Sequence, residues 1–227
     1  MKRFNGHNGN GLNGHRTNGK ARTLVPRVKN RIPEVLNEYE AKALLKQPNR
    51  RAITGLRDYC MIALMLNCGL RSQEVLDLET GDIDWNTGKL IVKHGKGNKQ
   101  RVLWVSEADL STLSKWRERK PVSPLLFTTL KGKFLWGSHL RQMTKRRALR
   151  AGIEKDVHPH MLRHTFATDI FKQSKNIRLV QKALGHSDLS TTMIYTHVFD
   201  AELESEMRNL RRETQGLKSQ PTDQVIG

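Results

Sequence analysis

The sequence predicts an α+β domain that is mainly α, with one small β-hairpin. Three features carry this expectation. Apolar residues recur at helical spacing in most segments after Pro33, two short β-branched runs interrupt them, and glycines at 69 and 185 fall where helix C-termini belong. At 227 residues the chain is long enough for one domain with a real core plus tails.

Residues 1–19 hold five Asn, five Gly and two His with almost nothing apolar, too little to offset chain entropy. Eight Lys and Arg precede Glu34, the first acid of the chain. Residues 1–32 therefore read as a disordered, basic, Asn/Gly-rich arm suited to phosphate, or as a leader or solvating tail. From Pro33 a domain begins. N37-E-Y-E-A-K-A-L-L-K46 reads as a capped amphipathic helix, and Leu56 to Asn67 is apolar nearly all round, as a central buried helix is. Gly69 stops that helix, and S72-Q-E-V-L-D-L78 starts the next with Ser at the cap. K89-L-I-V-K93 and R101-V-L-W-V105, joined by H94-G-K-G-N-K-Q100, read as a hairpin with a glycine-rich tip. Helical patterns then run from Glu107 to Arg119, Ser138 to Ala151, His160 to Lys172 and Ile177 to Leu184. A short segment over 189–195 and a charged helix over 201–212 complete a domain spanning 33–212, and 213–227 is a polar tail.

Forty Lys and Arg stand against twenty-two Asp and Glu, a formal charge of +18 that points to a polyanionic partner, most often nucleic acid. Cys60 and Cys68 lie in one apolar run and read as reduced core residues, not as a disulfide or metal pair. No apolar stretch reaches the roughly eighteen residues of a membrane span, and the N-terminus lacks a signal-peptide core. The expectation is a soluble cytoplasmic protein with no membrane partner.

In H158-P-H-M-L-R-H164, His160 and His164 are four apart, the spacing of helical zinc ligands. The catalytic version of that motif has Glu after its first His, where Met161 stands, so neither metal nor other cofactor is expected. Met161, Leu162, Phe166 and Ile170 mark a buried stripe, whereas His160 and Arg163, three apart, can face one phosphate. In C68-G-L-R-S-Q-E74, Arg71 sits at a helix start, where backbone N–H groups and the helix dipole favour an anion. Glu74 can reach back to fix its guanidinium, although a capping pair with an ordinary surface Arg explains the motif as well. The tip G95-K-G-N-K99 offers Lys96 without the spacing of a nucleotide-binding loop. L184-G-H-S-D-L-S-T-T-M-I-Y195 puts His186 after a helix-ending glycine and Tyr195 nine residues on; by itself that tyrosine reads as a packing residue with its hydroxyl in water. Together these residues supply two arginines, two imidazoles, a lysine and a phenol, a set able to transfer a phosphoryl group without metal.

In order and spacing, G69-L-R-S-Q-E74, G95-K-G-N-K99, H160-M-L-R-H164, L184-G-H186 and I194-Y-T-H197 resemble the catalytic domain of tyrosine recombinases, particularly the Xer recombinases and phage-type integrases. The resemblance covers roughly 33–212. It implies that family's catalytic-domain fold, with the catalytic lysine on the hairpin, and a site-specific recombinase that cuts and rejoins double-stranded DNA in integration, excision, inversion or resolution, as in mobile elements. It implies Tyr195 as the nucleophile, leaving a 3′-phosphotyrosyl bond and a free 5′-hydroxyl. Arg71 and Arg163 would clamp the non-bridging oxygens, Lys96 would protonate the departing 5′-oxygen, and His160 would help the phenol lose its proton. His186 would donate to the phosphate and align Tyr195, with Glu74 behind Arg71. His164 and His197 match the family string but are expected to pack. The implied partners are duplex DNA, a homotetramer acting on two DNA sites through a Holliday junction, and accessory DNA-bending proteins or a second recombinase. Most integrases carry a separate helical DNA-binding domain before the catalytic one. Here, as in the short Fim-type recombinases, no separate N-terminal core-binding domain is expected, and the basic arm is expected to supply part of the grip. Two other readings stand beside this one: a non-catalytic DNA-binding regulator or partner of a full-length recombinase, and type IB topoisomerase-like relaxation of one duplex. The 201–212 helix reads either as an oligomerisation element or as a helix folded back on its own domain.

Overall fold

The structure, a computed structural model, describes residues 33–93, 100–186, 188–196 and 207. The expected basic arm, the hairpin tip with Lys96, His197, all of the expected last helix except Met207, and the polar tail lie outside the described residues.

Local chemistry sets most element boundaries. Helix α1 (Glu38–Lys46) begins in a capping box: the Glu40 N–H donates to the Asn37 side chain at 2.9 Å, and the Asn37 N–H donates to the Glu40 carboxylate at 2.7 Å. Helix α2 (Ile53–Asn67) is the buried centre, with every residue from Gly55 to Leu66 inside. Both of its buried charges have partners, although Arg57 Nε is left without one: Arg57 Nη1 donates to the Thr128 carbonyl at 3.0 Å, and Asp58 accepts from Arg147 at 2.6 Å. The helix starts three residues before the periodicity suggests, because Ala52 at its cap offers no side-chain acceptor to mark the start.

After α2 the chain turns at Gly69 (φ +65°) into helix α3 (Ser72–Leu76), two residues shorter than expected. A β-carbon on Gly69 would lie 2.2 Å from the Phe166 ring, so both the backbone angle and the contact require glycine. Gly69→Ala is expected to cost about 1–3 kcal/mol, to be read from the denaturation midpoint of the variant.

Strands β1 (Lys89–Val92) and β2 (Arg101–Trp104) pair antiparallel, with Leu90 opposite Leu103 and Val92 opposite Arg101. Alternation turns Arg101 and Leu103 inward and leaves Val102 and Trp104 exposed. Helix α4 (Glu107–Arg119), capped by Ser106, packs on α2 and buries Trp116, whose indole N–H donates to the Leu126 carbonyl at 2.9 Å. Helices α5 (Gly137–Arg150), α6 (Pro159–Ser174) and α7 (Ile177–Leu184) follow, and two 3₁₀ turns, Leu189–Thr191 and Met193–Tyr195, form the short segment expected over 189–195.

Two apolar clusters result. The larger one surrounds α2; the smaller one gathers Phe166, Ala167 and Phe171 of α6, Val180 and Leu184 of α7, and the Tyr195 ring. Among the described residues no helix is long and apolar enough to cross a membrane.

Candidate active site

Helix α6 crosses α2 and α7, and this places one buried guanidinium among three chain segments. Arg163, 5% exposed, donates Nη1 to the Gly69 carbonyl on the α2–α3 turn and Nη2 to the Leu184 carbonyl at the end of α7, the latter at 2.6 Å. The same Nη2 lies 3.4 Å from His186 Nε2. His186 follows Gly185 (φ +64°), whose left-handed cap ends α7 and swings the imidazole back toward α6. Its other nitrogen, Nδ1, sits 3.0 Å from the Thr192 hydroxyl. Arg163 thus ties together the turn that bears Arg71 and the segment that bears His186.

Tyr195 reaches this place from the last described 3₁₀ turn. Its ring is 1% exposed in the smaller apolar cluster, and its hydroxyl lies 2.7 Å from His164 Nδ1. A cleft of about 310 Å³ opens beside it, lined by Arg71, His160, Arg163, His164, His186 and Tyr195 together with Gly185, Thr191 and Ile194. Five of the six residues expected to act on a phosphate therefore share one cleft. The sixth, Lys96, lies outside the described residues.

Glu74 sits behind Arg71, as expected, but it serves two arginines. It accepts from the Arg71 backbone N–H and from Arg71 Nη1, both at 2.8 Å, and from both terminal nitrogens of Arg101 at 2.7 Å. Burial by itself would raise its pKa; the hydrogen bonds and charge of Arg101, with the Arg71 N–H, bring it down to about 2, so Glu74 is ionised at neutral pH. Arg101 is a residue the sequence reading did not single out. Its signal was available in the hairpin register, where an arginine at an inward position is a buried charge that needs a partner.

His164, expected to pack, also brings its Nδ1 to 2.7 Å from the Tyr195 hydroxyl. The i to i+4 spacing that suggested a zinc face turns His164 toward Tyr195, while His160 stands exposed at the rim, its ring 6.4 Å from that of His158. It is His164, not His160, that meets the phenol. Among the described residues no three His, Cys, Asp or Glu side chains cluster as metal ligands.

Electrostatics keep the imidazoles neutral and the phenol protonated. Burial, aided by His160 and Arg163, lowers the His164 pKa to about 4; burial, aided by Arg163 and Arg71, does the same for His186. His160 is lowered too, by partial burial, His158 and the two arginines. Burial raises Tyr195 to about 12, against the pull of Arg163. Unfolded histidines titrate near 6.5, so between that value and about 4 the unfolded chain binds protons that the native one refuses. The stabilisation from these neutral rings is complete above pH 6.5 and is lost as pH falls toward 4. The melting temperature is expected to drop across that window, and His164→Asn is expected to flatten the drop in a pH series of thermal melts.

The sequence model of the phage integrase family matches residues 34–202. Tyrosine recombinase XerD of Staphylococcus saprophyticus is 36% identical over 186 residues, which cover 79% of this chain and 63% of the relative. The chain therefore spans a little under two thirds of the length of that curated relative. Among solved structures, XerA recombinase superposes with a TM-score of 0.70 at 30% identity, covering 80% of this chain and 66% of that one. XerH site-specific recombinase, bound to a palindromic difH substrate in a post-cleavage complex, gives a TM-score of 0.69 at 33% identity, covering 78% and 53%.

Proposed function

The chain belongs to the phage integrase family of tyrosine recombinases, and from that premise we propose that it is a site-specific recombinase that cuts and rejoins duplex DNA through a 3′-phosphotyrosyl intermediate. The observation that carries the proposal is the Tyr195 hydroxyl held 2.7 Å from a neutral imidazole at the edge of a cleft bearing two arginines.

In this reading Tyr195 attacks the scissile phosphorus in line with the departing 5′-oxygen. The gap between a phenol near 12 and an imidazole near 4 keeps the proton on Tyr195 at rest, so its transfer accompanies attack. With its own proton on Nε2, His164 accepts at Nδ1 and takes the place the sequence reading had given to His160. His160 at the rim and His186 beside Arg163 face the phosphate. Arg71 and Arg163 hold the non-bridging oxygens, whose charge grows in the transition state; one such donor is worth about 3 kcal/mol. Lys96 on the hairpin tip is proposed as the acid for the 5′-oxygen. Because the phosphodiester energy is kept in the phosphotyrosine, rejoining needs no nucleotide triphosphate.

The partner proposed is duplex DNA, with four protomers on two sites; accessory bending proteins or a second recombinase would act alongside. Trapping on a nicked suicide duplex tests the central step: a Tyr195–DNA adduct that survives denaturation is the expected result. Failure to form it would leave the DNA-binding regulator. Paired-site recombination without relaxation of a single supercoiled circle would set the activity apart from that of a type IB topoisomerase. Adduct formation is expected to be unchanged in excess chelator, because the two arginines supply the charge that metal ions supply elsewhere. Loss of the adduct on chelation would overturn this mechanism.

A further inference from the structure

Arg101 does not itself line the cleft, yet it ties β2 to two segments that do. Its guanidinium donates Nη1 and Nη2 to the two oxygens of Glu74, each at 2.7 Å, and Nε to the Ala183 carbonyl at 2.9 Å. Its stem packs against Gly185, where an added β-carbon would come within 3.0 Å of Arg101 Cδ. One side chain thus binds the hairpin to the Arg71-bearing start of α3 and to the end of α7 that precedes His186.

The count of hydrogen bonds at Glu74 gives this junction a purpose. An ionised carboxylate offers about four acceptor positions. At Glu74 all are filled: Oε1 by Arg71 Nη1 and Arg101 Nη1, Oε2 by the Arg71 N–H and Arg101 Nη2. Arg163 Nη1 waits at 3.9 Å from Oε2, beyond hydrogen-bond reach. We infer that Arg101 is a positioning residue for phosphate binding: by saturating Glu74 it keeps that buried carboxylate from drawing Arg163 and the whole of Arg71 away from the cleft. Without it, two acceptor positions on a buried anion fall vacant, and the nearest cation able to fill them is Arg163. Closing that gap pulls Arg163 off the Gly69 and Leu184 carbonyls and sets the phosphate clamp against Glu74. Because Arg101 lies on β2, docking of the hairpin that carries Lys96 becomes a condition for a correctly aimed clamp.

This inference rests on the proposed role of Arg71 and Arg163 as phosphate ligands, and its test separates the two. Arg101→Met keeps the stem without donors; Arg101→Lys keeps the charge but replaces a fork with a single point donor. Each is compared with the unsubstituted protein in single-turnover cleavage of a suicide duplex, once with a normal scissile phosphate and once with a methylphosphonate there. The methylphosphonate is neutral and demands less of the arginines. Duplex binding is measured by gel shift and folding by thermal melt. The expected result is binding within about 3-fold of wild type, cleavage of the normal phosphate slower by about 30-fold or more, and a deficit that shrinks to about 3-fold on methylphosphonate. An equal deficit on both substrates would mark Arg101 as a scaffold residue only, and no deficit would mark the junction as idle; either overturns the inference. If Arg101→Met melts below the assay temperature, Arg101→Lys decides alone. Arg71→Ala is the control for the underlying reading. If it cleaves normally, the phosphate-site proposal itself fails; if it fails to cleave while both Arg101 variants cleave normally, only the inference does.

Discussion

Tyr195→Phe is expected to reduce cleavage and covalent trapping to background while leaving duplex binding within about 2-fold of wild type, since only the attacking oxygen is removed. The ring stays in its apolar cluster with Phe166, Phe171, Val180 and Leu184, so the local packing survives. What is lost besides the nucleophile is one hydrogen bond to His164, worth about 1 kcal/mol. Binding and folding therefore act as internal controls. An adduct that still forms with Tyr195→Phe would remove Tyr195 from its role and leave another side chain as the nucleophile.

The second large effect belongs to Arg163, where stability and chemistry fail together. Arg163→Ala strips donors from the Gly69 and Leu184 carbonyls inside the protein and leaves Glu74 with one cation fewer nearby. A few kcal/mol of stability are expected to go, since each buried acceptor left without a partner costs about 1–3 kcal/mol. Cleavage per folded molecule is expected to fall by a further factor of about 10² to 10³, the typical cost of one oxyanion donor. Arg163→Lys is expected to rescue little of either, because one ammonium cannot span two carbonyls on different segments and still face a phosphate. Denaturation midpoints and single-turnover cleavage, corrected for the folded fraction, read the two effects separately. Wild-type cleavage by folded Arg163→Ala would show the guanidinium to be a structural tie alone.

The location of these two residues shows where sequence reasoning ran well and where it stopped. Helix boundaries marked by side-chain chemistry were legible: the Asn37 box, Ser106 before α4 and Gly185 after α7 each act within a few residues of themselves. Where a boundary lacks such a marker it moved, as at Ala52 before α2. The short segment over 189–195 is two 3₁₀ turns, and the Tyr195 ring at its end packs in the smaller apolar cluster.

The site divides along the same line. Arg71, Glu74, His160, Arg163, His186 and Tyr195 stand in short local motifs that resemble those of the family, and it is that resemblance, not any motif alone, that singles them out. Two features were not visible there. His164 and Tyr195 are 31 residues apart and meet only because α7 folds back on α6. Arg101 reaches Glu74 across 27 residues and Ala183 across 82, through the inward face of a hairpin. By itself the sequence determined most of the described elements and the charge that suits a polyanion, because capping and periodicity are short-range properties, while the residues of the candidate site came from their resemblance to the family's motifs. Only the tertiary structure decided which imidazole meets the phenol and which arginine occupies Glu74. Those choices depend on hydrogen-bond distances between segments far apart in the chain, and a shift of about 1 Å in helix packing makes or breaks such a bond.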